Sequence, residues 1–271
     1  MSIRGPIRYA EHLTRDRYHP RSSKHGDFLS QALVLDLLDA SPVLRSAAAR
    51  GRLVFTVNHA IEVADKSVAQ TLPEDARKDL AWNMDLVIGP AGDEAPPILR
   101  KKSRKKGEEA HLITPDIMKR GTPREVWLVV DAKGVMTEHG KARRNRQRDI
   151  TALWTVMKTF MPNVIVGAVI PINVSSKFKS PLRREISDHG SNIQRIVLST
   201  LGIFRAVRKT SREGRGIDGL GCFVVDFDNM ERSEARYVEE PPAPQPDDVI
   251  HYDTFVQDLV AAVVKRFGSL L

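Results

Sequence analysis

Asp85, Asp131 and Lys133 have the types and spacing suited to cleaving a phosphodiester. Asp85 stands inside the short apolar run MDLVIGP, and Asp131 and Lys133 close a second run, VWLVVDAKG at 126 to 134. Alternate residues of a strand share a face, so Asp131 and Lys133 project together while Ala132 points the other way. If the two runs are neighbouring strands, Asp85 joins them. Two carboxylates at the end of a sheet cost on the order of several kcal/mol unless a cation offsets them. Magnesium suits the place, because it takes oxygen ligands and keeps waters that can be delivered to a phosphate. The spacing (D/E)-x-K occurs once in the chain. The same residues also permit a plainer reading, a strand-end ion pair between Asp131 and Lys133 with Asp85 in a turn.

The elements that must position these residues follow from apolar periodicity. FLSQALVLDLLDA (28 to 40) has leucines at helical spacing behind a possible Asp27 cap, and Pro42 stops it. A second helix is expected over about 59 to 71, with Ile61, Ala64, Val68 and Leu72 on one face and Glu62 off it. A short helical stretch around PEDARKDLAW leads into the strand that carries Asp85. The run ending at Gly134 is β-branched and reads as a buried strand. From 138 to about 161 the repeat of Ile150, Leu153, Trp154, Met157 and Phe160 predicts a long helix. Carried backwards, its stripe reaches Arg146, Arg143 and His139, so a face buried late becomes cationic early. NVIVGAVIPINV (163 to 174) reads as a central strand, 191 to 207 as a helix, GCFVVDF as a strand and 254 to 270 as a final helix, with PPAPQP (241 to 246) as a stiff linker. Helices alternating with buried strands predict an α/β fold, a mixed central sheet covered by helices on both faces, in one domain spanning 1–271.

A strand acid, then (D/E)-x-K on the next strand, then a helix and a further strand resembles the core of the PD-(D/E)xK nucleases, the type II restriction endonuclease fold. The elements here are Asn83-Met84-Asp85, Asp131-Ala132-Lys133 and the helix from 138 to 160, and the match covers roughly residues 55 to 175. Residues 135 to 141 (VMTEHGK) also resemble the Met-Thr start of the following helix in some restriction enzymes. The first acid follows Asn83-Met84 where the family motif has Pro. The resemblance implies that Asp85, Asp131 and the carbonyl of Ala132 bind Mg2+, and that Lys133 orients or deprotonates the attacking water. It places a further acid on an earlier helix in some members, a role open to Glu62 against ordinary solvation and less so to Glu138. It further implies a Mg2+-dependent endonuclease acting as a homodimer on a short site in double-stranded DNA.

Charge points to the same partner. The chain carries +8, but residues 226 to 258 hold ten acids against Arg232 and Arg236, a net −8, so the remainder carries +16. RKKSRKK at 100 to 106, with Lys101, Lys102 and Lys105, reads as a basic loop for phosphates or simply for solvation. KARRNRQR at 141 to 148 puts Arg143, Arg146 and Gln147 within two turns of the helix start, where arginine can grip phosphate or guanine. Other groups read as structural. The eight histidines include no HExxH, and His139, His189 and His251 are expected at the surface or as caps. EGRGIDGLG lacks a nucleotide-loop pattern, and Asp226 and Asp228 suggest a strand-end turn.

With 41% hydrophobic and 28% charged residues, the composition excludes a collagen, a coiled-coil rod or a wholly disordered chain. The single Cys222 excludes an internal disulfide and a zinc site built on cysteine pairs, which suits a reducing compartment. The longest apolar run, at 164 to 172, is about half the length of a membrane helix, and the N-terminus lacks a signal peptide's apolar stretch, so a cytoplasmic protein is expected. Two other functions stay open: a non-catalytic nucleic-acid-binding protein, and a repair or junction-resolving nuclease on the same fold.

Overall fold

A computed structural model of the chain describes residues 4–62, 81–92, 99–101, 117–137, 139–183, 185–212 and 216–271. Its strands are β1 (Leu53–Glu62), β2 (Ala81–Pro90), β3 (Leu99–Lys101), β4 (Leu128–Ala132), β5 (Ile165–Asn173), β6 (Lys177–Lys179), β7 (Ile186–Asp188), β8 (Gly219–Asp226) and β9 (Arg236–Val238). Seven of them form one sheet in the order β3-β1-β2-β4-β5-β8-β9, and β6 and β7 make a separate hairpin. β4, β5 and β8 run parallel, while β1, β2, β3 and β9 join antiparallel on the two sides, so the sheet is mixed.

The described helices are α1 (Gly5–Arg15), α2 (Lys24–Ala40), α3 (Pro42–Ala49), α4 (His139–Phe160), α5 (Ile193–Arg212) and α6 (Tyr252–Phe267). Helices α1, α2, α3 and α6 pack on one face through residues such as Leu33, Val130, Val169 and Phe255. Helices α4 and α5 cover the other face through Val129, Leu153, Val166 and Val197. Neighbouring residues of β4 thus enter opposite cores, which is why its apolar run is continuous rather than alternating. Asp36, in the middle of α2, accepts the backbone N–H groups of Arg4 (3.1 Å) and Gly5 (2.7 Å) and the Tyr252 hydroxyl (3.0 Å), tying the start of α1 to α2 and α6.

The α/β class and the long helices follow the periodicity. The helix expected over 59 to 71 does not form at its start: residues 59 to 62 belong to β1, and 63 to 71 lie outside the described residues. Thr56, Asn58 and His59 are buried as well as Phe55, Val57 and Ile61, and Phe55 and Val57 enter one core while Ile61 enters the other, so this is a strand covered on both faces whose apolar residues happen to fall at helical spacing as well. Of the helical stretch around PEDARKDLAW, Ala81 and Trp82 open β2 and the rest lies outside the described residues. Residues 241 to 246 form turns with Pro242, Ala243 and Pro244 buried, so this segment packs on the body rather than spanning it. Leu99–Lys101, the head of the expected basic loop, pairs with β1 as an edge strand.

Candidate active site

Antiparallel pairing of β2 with β4 aligns Leu86 with Val130, and one step further brings Asp85 level with Asp131. At this point the ladder gives way to a side chain, as the Ala132 N–H donates to Asp85 Oδ2 at 2.7 Å. Lys133, one residue past β4, sets its Nζ 2.9 Å from Asp131 Oδ1 and 3.8 Å from Asp85 Oδ2. Asp131 is 2% exposed, Asp85 17% and Lys133 33%, so the pair opens to solvent only on the Asp85 and Lys133 side. Three residues that share a motif only in sequence therefore form one cluster.

The neighbours keep that cluster in place. Asn58 has φ of 55°, and the β1–β2 ladder passes from Val57 with Leu86 to His59 with Met84, omitting the step at Asp85. Asparagine tolerates this left-handed conformation better than most side chains, and the local break frees space beside the carboxylate. Across from it, α2 presents Gly26, where a Cβ would stand 2.9 Å from Asp85 Oδ1. Any larger residue there would press on the acid. A cleft of about 320 Å³ lies over the cluster, lined among others by Tyr18, Arg21, Asn58, Asp85, Lys133 and Arg146.

Electrostatics follow from two acids against one ammonium. Burial, and then the Asp85 carboxylate, push Asp131 up to about 7 against the pull of Lys133. Burial pulls the Lys133 ammonium down, but Asp85 and Asp131 together outweigh it and the net displacement is upward. The 2.9 Å contact lacks hydrogen-bond alignment, so buried Asp131 Oδ1 accepts no well-directed hydrogen bond. Such an oxygen is a fitting ligand for a hard cation. Among the described residues no group of three or more His, Cys, Asp or Glu converges, so a cation here would rely on Asp85, Asp131, the Ala132 carbonyl, water and substrate oxygen.

The remaining expected residues are spread around this centre. Arg146 reaches the cleft and pairs with Asp149 at 2.7 Å. Arg143 turns toward α5 and donates to Ser199 Oγ at 2.7 Å. Gln147 lines a different groove, between α4 and α5, with Ile150 and Trp154. Glu62 ends β1, four residues beyond the Asn58 level, roughly 13 Å along the strand. Lys101 is the last residue of β3, and Lys102, Lys105 and Glu138 lie outside the described residues.

Among the histidines, His251 caps α6 by accepting the Asp253 N–H (3.2 Å), as expected. His139 instead is buried at 2% exposure, its ring bonded to the carbonyls of Thr137 and Asn173 at 2.9 and 2.7 Å. It closes the turn between β4 and α4. Asp226 pairs with Arg236, and Asp228 accepts the Met230 N–H at 2.8 Å, the turn expected there. Asn58, Gly26 and Tyr18 are the site neighbours that sequence reasoning missed. Asn58 sits in an apolar alternation, a weak signal of a distorted strand, while the other two carry no signal beside the motif.

No family model, no curated protein and no solved structure matches this chain.

Proposed function

We propose that the chain is a Mg2+-dependent DNA endonuclease with a restriction-endonuclease-like core, cutting double-stranded DNA at a short site as a homodimer. The reading is carried by the convergence of Asp85 and buried Asp131 from adjacent strands on the Lys133 ammonium, with Asp85 and Lys133 lining a cleft that Arg146 also lines. Two carboxylates with one lysine carry an excess negative charge suited to a divalent cation. Magnesium, held by Asp85, Asp131 and the Ala132 carbonyl, would supply positive charge at the phosphate and a more acidic water.

The protein's own groups account for the remaining requirements. Lys133 orients the attacking water with a hydrogen-bond donor and stabilises charge developing on the phosphate. Arg146 draws the phosphodiester into the cleft from the α4 side. The water oxygen bonds to phosphorus as the P–O bond opposite it breaks. One water proton leaves to solvent, and the departing oxygen gains one, leaving a phosphate end and a hydroxyl end. Cutting both strands takes two such sites, hence the homodimer.

Supercoiled plasmid incubated with Mg2+ or EDTA tests this directly. The wild type is expected to give discrete Mg2+-dependent fragments, and Asp131→Ala and Lys133→Ala to cut at least roughly a thousandfold more slowly. Tight DNA binding with no cutting in Mg2+ or Mn2+ would leave only the binding protein. Cutting confined to branched or damaged DNA would favour the repair or junction-resolving nuclease.

A further inference from the structure

Tyr18 lies on the segment that joins α1 to α2, far from the motif in sequence, yet it lines the same cleft as Lys133 and Arg146. Its backbone is held on both sides. The Tyr18 N–H donates to Asn229 Oδ1 (3.0 Å), and Asn229 Nδ2 donates back to the Tyr18 carbonyl (3.0 Å) and to that of Lys179 (2.8 Å). Asn229 is 3% exposed and has φ of 59°, a left-handed turn that aims its amide at the segment. The ring is held too, stacked on His25 with centroids 4.7 Å apart and edge-on to Phe178 at 6.3 Å.

The hydroxyl at the end of this fixed ring makes no hydrogen bond to any described residue. It sits against Gly134, where a Cβ would come within 3.1 Å of Oη, and so beside the backbone that carries Lys133. Sheltered tyrosine hydroxyls normally find a partner, and a ring needed only for packing would serve as well without the oxygen. A donor fixed in place, without a partner among the described residues, and lining the same cleft as a lysine and an arginine is arranged for an anion.

We propose that the Tyr18 hydroxyl donates a hydrogen bond to a non-bridging oxygen of the phosphate that enters the cleft, completing with Lys133 and Arg146 a three-donor phosphate cradle. This deepens the nuclease reading and rests on it for the identity of the phosphate. Burial holds the Tyr18 phenol above its ordinary value against Arg146 and Lys133, so it acts as a donor and not as a base.

The test uses the full chain labelled with 3-fluorotyrosine, whose four tyrosines give four 19F resonances, that of Tyr18 being the one lost in Tyr18→Phe. On titration with inorganic phosphate the Tyr18 resonance is expected to move while those of Tyr237 and Tyr252, which do not line the cleft, stay. Tyr18→Phe, which keeps the ring packing, is expected to bind phosphate about three- to tenfold more weakly. In plasmid cleavage it is expected to lower kcat about ten- to a hundredfold with KM within about twofold. Gly134→Ala, which crowds the hydroxyl, is expected to move the same resonance without added phosphate.

A Tyr18 resonance unmoved by phosphate, or a Tyr18→Phe enzyme that cuts at the wild-type kcat, overturns the proposal and leaves the nuclease reading standing. A wild type that cuts no DNA while phosphate still moves the Tyr18 resonance overturns the nuclease reading and upholds the phosphate contact.

Discussion

At Asp131 a carboxylate that is 2% exposed faces another acid and one ammonium, and its chemistry is set by that balance. Its folded value of about 7 lies above the ordinary 3.8, so its contribution to stability is full below pH 3.8 and is lost as pH rises through 7. Asp131→Asn is therefore expected to melt at a higher temperature than the wild type at pH 8 in EDTA, with the gap closing at pH 4. Differential scanning calorimetry at the two pH values checks this, and an equal difference at both would count against carboxylate repulsion as the cause. Gly26 closes on Asp85 from α2. A Cβ there would need Asp85 to yield several tenths of an ångström, so Gly26→Ala is expected to slow cleavage about ten- to a hundredfold while circular dichroism stays that of the wild type.

The wall opposite the carboxylates is built by α1, α2 and the segment between them, and two buried histidines join those helices. The His19 backbone N–H donates to His25 Nε2 (3.2 Å), so the His25 proton is on Nδ1 and points to His12 Nε2 (3.0 Å). The His12 proton is then on Nδ1, 3.5 Å from Asp16. Burial, and then His12, push His25 down to about 3, against an ordinary value of 6.5. A depressed histidine is neutral when folded and charged when unfolded, so its contribution is full above pH 6.5 and is lost as pH falls toward 3. Within that window it adds a loss of about 1.4 kcal/mol per pH unit, which His25→Asn is expected to remove. Urea unfolding from pH 7 to pH 4 measures the slope, and identical slopes in both proteins would exclude His25 as the source.

Across the whole molecule, the net +8 conceals an acidic segment of −8 and a remainder of +16, and Arg146 brings part of that positive charge to the cleft. If the cleft takes duplex DNA as proposed, binding weakens linearly in a plot of log affinity against log salt. Each phosphate neutralised adds about 0.9 to the slope, so Arg146→Ala is expected to lower it by about one. Fluorescence anisotropy over a salt series measures this, and an unchanged slope would place Arg146 off the phosphate path. Arg143, held by Ser199, is expected to change the slope less.

Local pattern was enough to read the α/β class, the strands that carry Asp85 and Asp131, and helix α4, because continuous β-branched runs and a three- and four-residue repeat are properties of neighbouring residues. The single (D/E)-x-K likewise singled out Asp131 and Lys133, and an acid inside an apolar strand singled out Asp85. Pattern could not show that β1 extends through Glu62, since a strand buried on both faces, with Val57 in one core and Ile61 in the other, leaves no period-two signal to set against a helical one. Nor could it bring Tyr18 into the cleft beside Gly134, because that approach joins residues more than a hundred positions apart through the clamp of Asn229. Which residues could do chemistry was written in the chain. Which of them meet, and which wall faces them, was decided by the β2–β4 register and by the packing of α1 and α2 over the sheet.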